Sequence, residues 1–395
     1  MVIPQFTFAR IPKIYFGAGK FTGLDKIISE VGKTVLIVTG VHSFKSSGKW
    51  DVLIKALKDK SIKYFHFSVK GEPSPDSIDR AVSEFRRKDI DVVLAIGGGS
   101  AIDTGKAISA MLLQNTSVID YLEGVGREIS HNGIKVPFIA VPTTSGTGSE
   151  ATKNAVLSRV GPDGFKRSLR HNNFVSDVAV VDPELMLSCP PGITAACGMD
   201  AFTQLLESYV SSQSTPLTDA LVISGLEYLK DNLPLACSTG ANDTKVRTAM
   251  AYASLISGIA LANAGLGIVH GLASAIGGFF NIPHGVICGT LVGSVTEVTI
   301  NRLKKGNDPE NIALKKYAKI GRLLSGSGSK DINYCCELLI KKIGEWAKIL
   351  KIPVLSEYGI QISDINRIVE KTRNKNNPVK LDKNEIKKIL LMRMQ

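Results

Sequence analysis

The chain has 395 residues, of which 44% are hydrophobic and 21% are charged, a balance that is typical of a folded globular protein and excludes a disordered chain. Since this length exceeds what one ordinary hydrophobic core accommodates, two domains are expected. The formal net charge is +12, but the lysines of the C-terminal quarter lie in helix-like segments without interleaved aromatic residues. This pattern favours a solvated basic face, which can attract an acidic substrate, and argues against a nucleic-acid partner.

The N-terminal segment is the first predicted element. Residues 1–16 alternate like a β-strand, and no secretory signal is recognisable there. The six cysteines show no C-x-x-C spacing, and the adjacent Cys335 and Cys336 are interpreted as small hydrophobic residues on a helix rather than as a disulfide or zinc framework. Together these observations predict a cytoplasmic protein.

The first half of the chain then alternates between short β-branched runs and helical segments. This order predicts a parallel sheet covered by helices on both faces, an α/β Rossmann-like domain. The predicted strands are Thr34–Thr39, Tyr64–Val69, Val92–Ile96, Val136–Val141 and Val178–Val181, and the predicted helices are Phe21–Val31, Trp50–Lys58, Asp76–Lys88 and Ala101–Leu113.

Beyond about Asp182 the pattern is helical throughout, which predicts an all-α C-terminal domain. We place the boundary near Pro190–Pro191, so that the domains are residues 1–187 and 188–395. The predicted helices include Thr194–Tyr209, Pro216–Asn232, Lys245–Ala264, His270–Phe280 and Val286–Thr299. Thr248 to Thr296 contains no charged residue, but its Gly, Ala, Asn, His and Pro content and the lack of basic flanks favour buried helices over a membrane span.

Two polar loops follow neighbouring strands of the predicted sheet. Gly97-Gly98-Gly99-Ser100 lies between a strand and a helix, where a backbone without side chains can approach a pyrophosphate and the helix start offers N–H groups. The hydroxyl loop, Pro142–Ser149, follows the Val136–Val141 strand. Ordinary tight turns carry the same residue types, but two such loops at one sheet edge favour a nucleotide site.

Two of the six histidines, His270 and His284, lie beside glycines within the uncharged stretch. A single histidine in an apolar helix is usually a hydrogen-bonded core residue. Two of them, with Asp200 upstream, form a predicted buried polar cluster that needs compensation, and a divalent cation is the simplest kind.

Four sequence blocks, in this order, resemble the iron-containing (group III) alcohol dehydrogenase family of the dehydroquinate synthase-like superfamily. They are Ile96–Lys106 (IGGGSAIDTGK), Val141–Glu150 (VPTTSGTGSE), Asp182–Leu187 (DPELML) and Gly198–Tyr209 (GMDAFTQLLESY). The similarity continues to Asn377-Pro378 near the C-terminus and therefore spans nearly the whole chain.

The resemblance implies a nicotinamide cofactor and a set of residues that contact it. These residues are Gly98, Gly99, Ser100, Thr143 and Thr144 around the phosphates and ribose, Asp103 close by, and Lys166 at the nicotinamide ribose. NAD-preferring members carry an Asp just after the second strand, which would repel a 2′-phosphate. Here that position is Gly40, followed by Ser43 and Lys45, so NADP(H) is favoured over NAD(H).

The resemblance also implies an Fe(II) or Zn(II) site. Asp200, His270 and His284 match three ligands of that family, and four residues after Asp200 stands Gln204 in place of the expected histidine. Its amide oxygen can coordinate a cation, so Gln204 is expected as a fourth but weaker ligand, and the metal is expected to bind weakly. Many relatives have a further, proton-shuttling histidine where this chain has Ser274, so a proton relay must use water, ribose hydroxyls or another side chain.

These features together predict a metal-dependent, NAD(P)-linked alcohol dehydrogenase or aldehyde reductase. Asp200, His270 and His284 are its expected catalytic residues, and its small-molecule substrate is expected to be a polar or acidic, sugar-type molecule that is larger than a simple short alcohol. Family members commonly dimerise, so a homodimer is expected, with no nucleic-acid or membrane partner. Three alternatives stay open: a metal-independent reductase of the maleylacetate reductase type, a lyase resembling dehydroquinate synthase, and a catalytically silent binding protein.

Overall fold

The computed structural model describes residues 5–306, 308 and 310–394. Its N-terminal half contains a six-stranded parallel sheet in the order β1-β8-β5-β4-β2-β3. β2 and β4 are apolar along their length because helices cover both of their faces. The six strands of this sheet are β1 (Lys13–Phe16), β2 (Thr34–Gly40), β3 (Lys63–Val69), β4 (Val92–Gly97), β5 (Phe138–Pro142) and β8 (Val178–Val181). β6 (Asn154–Arg159) and β7 (Phe165–Arg170) form a separate two-stranded sheet.

Helices on the two faces of this sheet enclose two separate hydrophobic clusters. The helices of this half are α1 (Leu24–Val31), α2 (Ser43–Ser46), α3 (Lys49–Asp59), α4 (Pro75–Phe85) and α5 (Gly99–Met111). The predicted α/β class is confirmed. The predicted N-terminal strand is right only for Lys13–Phe16; residues 5–12 are outside any strand, and residues 1–4 lie outside the described residues.

The sequence analysis missed the antiparallel hairpin of β6 and β7, which packs against α5. A buried lysine attaches this hairpin and the end of the hydroxyl loop to α5. The Lys106 ammonium donates hydrogen bonds to the carbonyl oxygens of Ser149, Thr152 and Asn154 at 2.7 to 2.9 Å. These bonds satisfy a fully buried charge, which would otherwise be costly.

The C-terminal half is helical, as predicted, and shares one large hydrophobic cluster. Its helices are α6 (Pro191–Val210), α7 (Pro216–Ala236), α8 (Thr244–Ala264), α9 (Ile268–Phe279), α10 (His284–Lys304), α11 (Ile312–Ser325), α12 (Ile332–Ile349), α13 (Ile365–Lys371) and α14 (Lys383–Leu391). The boundary between residues 187 and 188 precedes α6, and the domain limits remain a prediction. Within the described residues, no single helix is long and apolar enough to cross a membrane, whereas α8 and α9, bent by 98°, meet that criterion together by length and composition.

The two halves meet in a backbone-to-backbone contact between the hydroxyl loop and α8. A β-carbon on Gly258 would lie only 2.1 Å from the carbonyl oxygen of Gly148. Gly148 itself has φ +59°, a left-handed conformation that favours glycine. The contact brings the loop that follows β5 directly onto the helical half.

Candidate active site

A cavity of about 630 Å³ lies between the two halves and unites the two predicted sites. Its α/β side includes Gly99 and Ser100 of the glycine turn, and its helical side includes Asp200, His270 and His284. Residues about 100 to 185 positions apart in sequence therefore face one volume, which is large enough for a small ligand.

The glycine turn and the hydroxyl loop are packed against each other at the carboxyl edge of the sheet. The Thr143 N–H donates to the Gly97 carbonyl at 2.9 Å, and a β-carbon on Gly99 would lie 2.7 Å from Cγ2 of Thr147. Gly98 directly precedes α5, so the free N–H groups in the first turn of α5 can donate hydrogen bonds to an anion at this point. The turn thus fits the diphosphate of a dinucleotide, and a larger residue at Gly99 would displace Thr147.

The remaining predicted cofactor residues lie at the same edge. Gly40 ends β2 beside Gly97, with Ser43 and Lys45 in α2. Of the hydroxyl loop, Thr147 and Ser149, rather than Thr143 and Thr144, are the described residues that line the cavity. Thr144 instead lies against Gly98, where its Oγ1 would be 3.3 Å from an added β-carbon.

Asp103 and Lys166 face the cavity from α5 and β7. Asp103 accepts a hydrogen bond from the Val156 N–H at 3.0 Å through Oδ2, while its buried Oδ1 has no partner, and burial raises its pKa. The Lys166 ammonium contacts Oε2 of Glu72 at 2.9 Å. Burial opposes ionisation of Glu72, but Lys166 outweighs it, so the pKa of Glu72 is lowered.

Asp200, His270 and His284 converge as predicted. Oδ1 of Asp200 lies 3.4 Å from Nε2 of His270 and 3.8 Å from Nε2 of His284. Asp200 is only 1% exposed, and its Oδ1 has no hydrogen-bond partner. A buried carboxylate oxygen without a donor is costly, and the donor set around it fits a divalent cation.

The electrostatics of this cluster favour a positive charge. Burial opposes ionisation of Asp200, but the His284 and His270 imidazoles lower its pKa to about 2. Burial likewise acts against protonation of His270, yet Cys288 and Asp200 raise its pKa well above the usual value. The pKa of His284 is lowered to about 4, mainly by burial, so its ring is neutral and able to bind a metal at neutral pH.

The sequence analysis missed Glu207, which orients His270. Its Oε2 accepts a hydrogen bond from Nδ1 of His270 at 2.7 Å, and its Oε1 accepts from the Val269 N–H at 2.7 Å. This arrangement turns Nε2 of His270 towards Asp200, as in metal sites whose histidines are held by a carboxylate. Glu207 follows Asp200 by seven residues, two helical turns on the same face of α6, and this spacing is a signal that could have identified it.

Cys288 was also missed, because the cysteines were considered only for C-x-x-C spacing, which Cys288 lacks. Its Sγ lies 3.7 Å from Nε2 of both His270 and His284, and together with Asp200 these residues place one ligand atom each within 4.8 Å of one another. We call Asp200, His270, His284 and Cys288 the ligand cluster. Cys288 is one helical turn after His284 in α10, a spacing typical of paired ligands.

Gln204 and Ser274, the two positions that differ from the resembled family, make hydrogen bonds within the protein. The Gln204 amide nitrogen donates to Oδ2 of Asp200 at 3.2 Å, and its oxygen accepts from Ser257 Oγ at 2.9 Å. The Ser274 hydroxyl donates to the Lys166 carbonyl at 2.7 Å. The Gln204 oxygen is therefore engaged away from Asp200.

A group of cations adjoins the cavity beside Ser274. We call Arg167, Arg170, Arg373 and Lys375 the cation cluster. Arg167 and Arg373 line a small recess next to the cavity, and Ser274 and Lys375 line both the recess and the cavity. Arg170 pairs with Glu123 at 2.6 Å, but among the described residues no salt bridge involves the other three. Burial and then repulsion from Arg170 lower the pKa of Lys375.

Comparison with known proteins identifies the family. A model of iron-containing alcohol dehydrogenases matches residues 12–183, and one of the C-terminal part of Fe-containing alcohol dehydrogenases matches residues 194–394. The chain belongs to the iron-containing alcohol dehydrogenase family. It is 32% identical to alcohol dehydrogenase 4 of Saccharomyces cerevisiae over 391 residues, which cover 96% of each chain.

Solved structures agree with this membership. The crystal structure of a 1,3-propanediol oxidoreductase superimposes with a TM-score of 0.88 at 28% identity, covering 98% of this chain and 100% of the other. That of sulfoacetaldehyde reductase from Bifidobacterium kashiwanohense in complex with NAD+ gives 0.84 at 26% identity and 99% coverage of both chains. This member of the iron-containing alcohol dehydrogenases is therefore an oxidoreductase that acts on alcohols, and its family implies a divalent metal and NAD(H) or NADP(H).

Proposed function

We propose that this enzyme interconverts an alcohol and its aldehyde with NADP(H), and that the substrate is a short molecule carrying an anionic group. When bound, a divalent cation at the ligand cluster polarises the substrate oxygen, and the nicotinamide donates or accepts the hydride. The cavity shared by the glycine turn and the ligand cluster is the observation that supports this reaction.

The residues of the chain supply binding and alignment. The N–H groups at the start of α5 bind the cofactor phosphates, and Lys166, held by Glu72, contacts the nicotinamide ribose. The Ser274 hydroxyl is engaged with the Lys166 carbonyl, so the proton exchanged with solvent travels through water or a ribose hydroxyl.

The cation cluster supports an anionic substrate. Ser274, which lines both spaces, follows His270 by one turn of α9, and residues at this spacing have β-carbons about 5–6 Å apart. Lys375 lines the same cavity as His270 and His284, so a molecule whose anionic group contacts Lys375 can extend to the ligand cluster within one space. A short aldehyde with a carboxylate or a sulfonate has the two groups that these two clusters would bind, and the structural similarity to a sulfoacetaldehyde reductase supports the same class.

Steady-state kinetics with matched aldehydes test this proposal. We expect a carboxylated four-carbon aldehyde and a sulfonated two-carbon aldehyde to give higher kcat/KM than butanal. Lys375→Gln should raise the KM of the anionic substrates roughly 10- to 100-fold, the range expected for a charged hydrogen bond, and leave butanal unaffected. Lys380→Gln, an exposed lysine of the same segment, is the control. Better turnover of butanal than of either anionic aldehyde would contradict the substrate class.

Metal dependence is tested separately. In the metal-independent alternative, Oδ1 of Asp200 would stay buried without a donor, which disfavours that alternative. We expect chelator-treated enzyme to lose turnover and to regain it with Zn(II) or Fe(II). Full activity of protein shown by elemental analysis to be metal-free would favour the metal-independent reductase. The homodimer and the cytoplasmic location remain predictions.

A further inference from the structure

We infer that Cys288 is the fourth protein ligand of the metal site, taking the role that Gln204 cannot fill, and that the completed site prefers Zn(II) to Fe(II). The inference rests on the proposed metal dependence and adds which atoms hold the ion. The measurements that test it report coordination rather than turnover.

Four of the six distances within the ligand cluster are close to those of a tetrahedral site, and all six are within 4.8 Å. With metal–nitrogen and metal–oxygen bonds of about 2.1 Å and a metal–sulfur bond of about 2.3 Å, neighbouring ligand atoms are separated by about 3.4 to 3.6 Å. The Cys288 Sγ to His270 Nε2 and His284 Nε2 distances are both 3.7 Å. The Asp200 Oδ1 distances to the same two nitrogens are 3.4 and 3.8 Å.

Hydrogen bonding alone explains these distances poorly. An N–H···O bond is about 2.7–3.2 Å long, so both ring nitrogens are too far from Oδ1 of Asp200. Oδ1 is buried and has no hydrogen-bond partner, and Cys288 is fully buried. One cation bonded to all four atoms would give Oδ1 the close partner that neither imidazole provides at these distances.

Gln204 is unsuited to the ligand role because its amide is already engaged. Its nitrogen donates to Oδ2 of Asp200 and its oxygen accepts from Ser257. Turning the amide round would place its oxygen against the Asp200 carboxylate, where two acceptors repel each other. We therefore assign Gln204 as a positioning residue that holds Asp200 with Oδ1 directed into the cluster.

Thiolate coordination has a consequence for the choice of metal. On binding, the Cys288 thiol loses its proton to solvent, and the resulting thiolate and the Asp200 carboxylate together neutralise a divalent cation. Thiolate is a soft ligand that favours Zn(II) over Fe(II), and Zn(II) also stands above Fe(II) in intrinsic affinity. A site with aspartate, two histidines and cysteine is therefore expected to retain zinc when both metals are available.

Cobalt substitution tests the coordination directly. We expect Co(II)-loaded wild-type protein to show the near-ultraviolet charge-transfer absorption of a thiolate–cobalt bond. Cys288→Ser should abolish this band and lower Zn(II) affinity roughly 100-fold or more, because loss of even an outer-shell partner costs 10–100-fold. Cys336→Ser, which alters another buried cysteine far along the chain in α12, is the matched control and should change neither.

A double variant keeps the test independent of folding effects. Cys288→Ser combined with Gln204→His should recover Zn(II) affinity without the charge-transfer band, because an imidazole then supplies the missing ligand. A Co(II)-loaded wild-type protein without the band, or unchanged Zn(II) affinity in Cys288→Ser, would overturn the assignment. Either result would leave the proposed reaction and substrate class intact, because those are tested separately by the turnover measurements described above.

Discussion

Glu207 accepts a hydrogen bond from Nδ1 of His270 at 2.7 Å and thereby fixes which ring nitrogen faces Asp200. Glu207→Gln weakens this orientation because a neutral amide is a poorer acceptor than a carboxylate. We expect Zn(II) affinity to fall about 10- to 100-fold, the usual effect of losing an outer-shell partner. Zinc titration against a competing chelator measures the change, and Glu227→Gln, an exposed glutamate of α7, serves as control. Equal affinity of both variants would mean that α9 alone orients the ring.

Gly40 at the end of β2 is expected to set the cofactor preference. Gly40→Asp places a carboxylate where it can accept hydrogen bonds from the ribose hydroxyls of NAD(H) and repel the 2′-phosphate of NADP(H). An added β-carbon meets only Ser43 Oγ at 3.9 Å, so the change should fit sterically. We expect the kcat/KM ratio for NADPH over NADH to fall roughly 10- to 100-fold, as for a charged hydrogen bond.

Gly40→Ala separates this charge effect from the loss of glycine and should leave the ratio unchanged. Wild-type enzyme that already prefers NADH would refute the preference proposed for Gly40. The measurement is initial-rate kinetics with both cofactors at one fixed aldehyde concentration.

Glu150, which directly follows the hydroxyl loop, should make stability depend on pH. Burial raises its pKa to about 7 in the folded chain, whereas its ordinary value is 4.5. Between these values the folded state binds more protons than the unfolded state, so this group's contribution to the free energy of unfolding decreases as pH rises from about 4.5 through 7. The full loss is about 3 kcal/mol.

Glu150→Gln removes this titration. Urea denaturation of wild type and variant between pH 5 and 8 should show the variant gaining relative stability as pH increases, as expected from the pKa of about 7. A constant difference across that range would show that the Glu150 carboxyl titrates normally.

Ser274 should separate anionic from neutral substrates. Ser274→His introduces an imidazole between the cavity and the cation cluster and restores a group that titrates near neutrality. We expect slower reduction of anionic aldehydes and a new pH dependence of kcat with butanal. Ser274→Ala removes only the hydrogen bond to Lys166 and controls for that loss. Undiminished turnover of anionic aldehydes by Ser274→His would argue against binding at the cation cluster.

The sequence predicted the sheet, the helical half and three members of the ligand cluster, because these depend on local patterns. Apolar runs such as β4 and the glycine turn after it are readable without tertiary information. The β6–β7 hairpin was missed because its second strand, FKRSLR, is largely polar, and the hairpin is stabilised by packing of β6 on α5 and of β7 on α9.

The cation cluster was not predictable for a different reason. Arg167 and Arg170 lie in β7, whereas Arg373 and Lys375 lie in a loop about 200 residues later, and no spacing rule links the two segments. The basic composition of the C-terminal quarter suggested an acidic substrate, but only the fold shows which cations lie beside the cavity. Cys288 was overlooked because it has no C-x-x-C partner in the sequence.

The contact between Gly148 and Gly258 leaves no room for a side chain at either position. Since not even a methyl group fits between these backbones, Gly258→Ala would push α8 and the hydroxyl loop apart. The adjacent Thr147 lines the cavity, so a substitution outside the ligand cluster would alter the shape of the proposed nucleotide site.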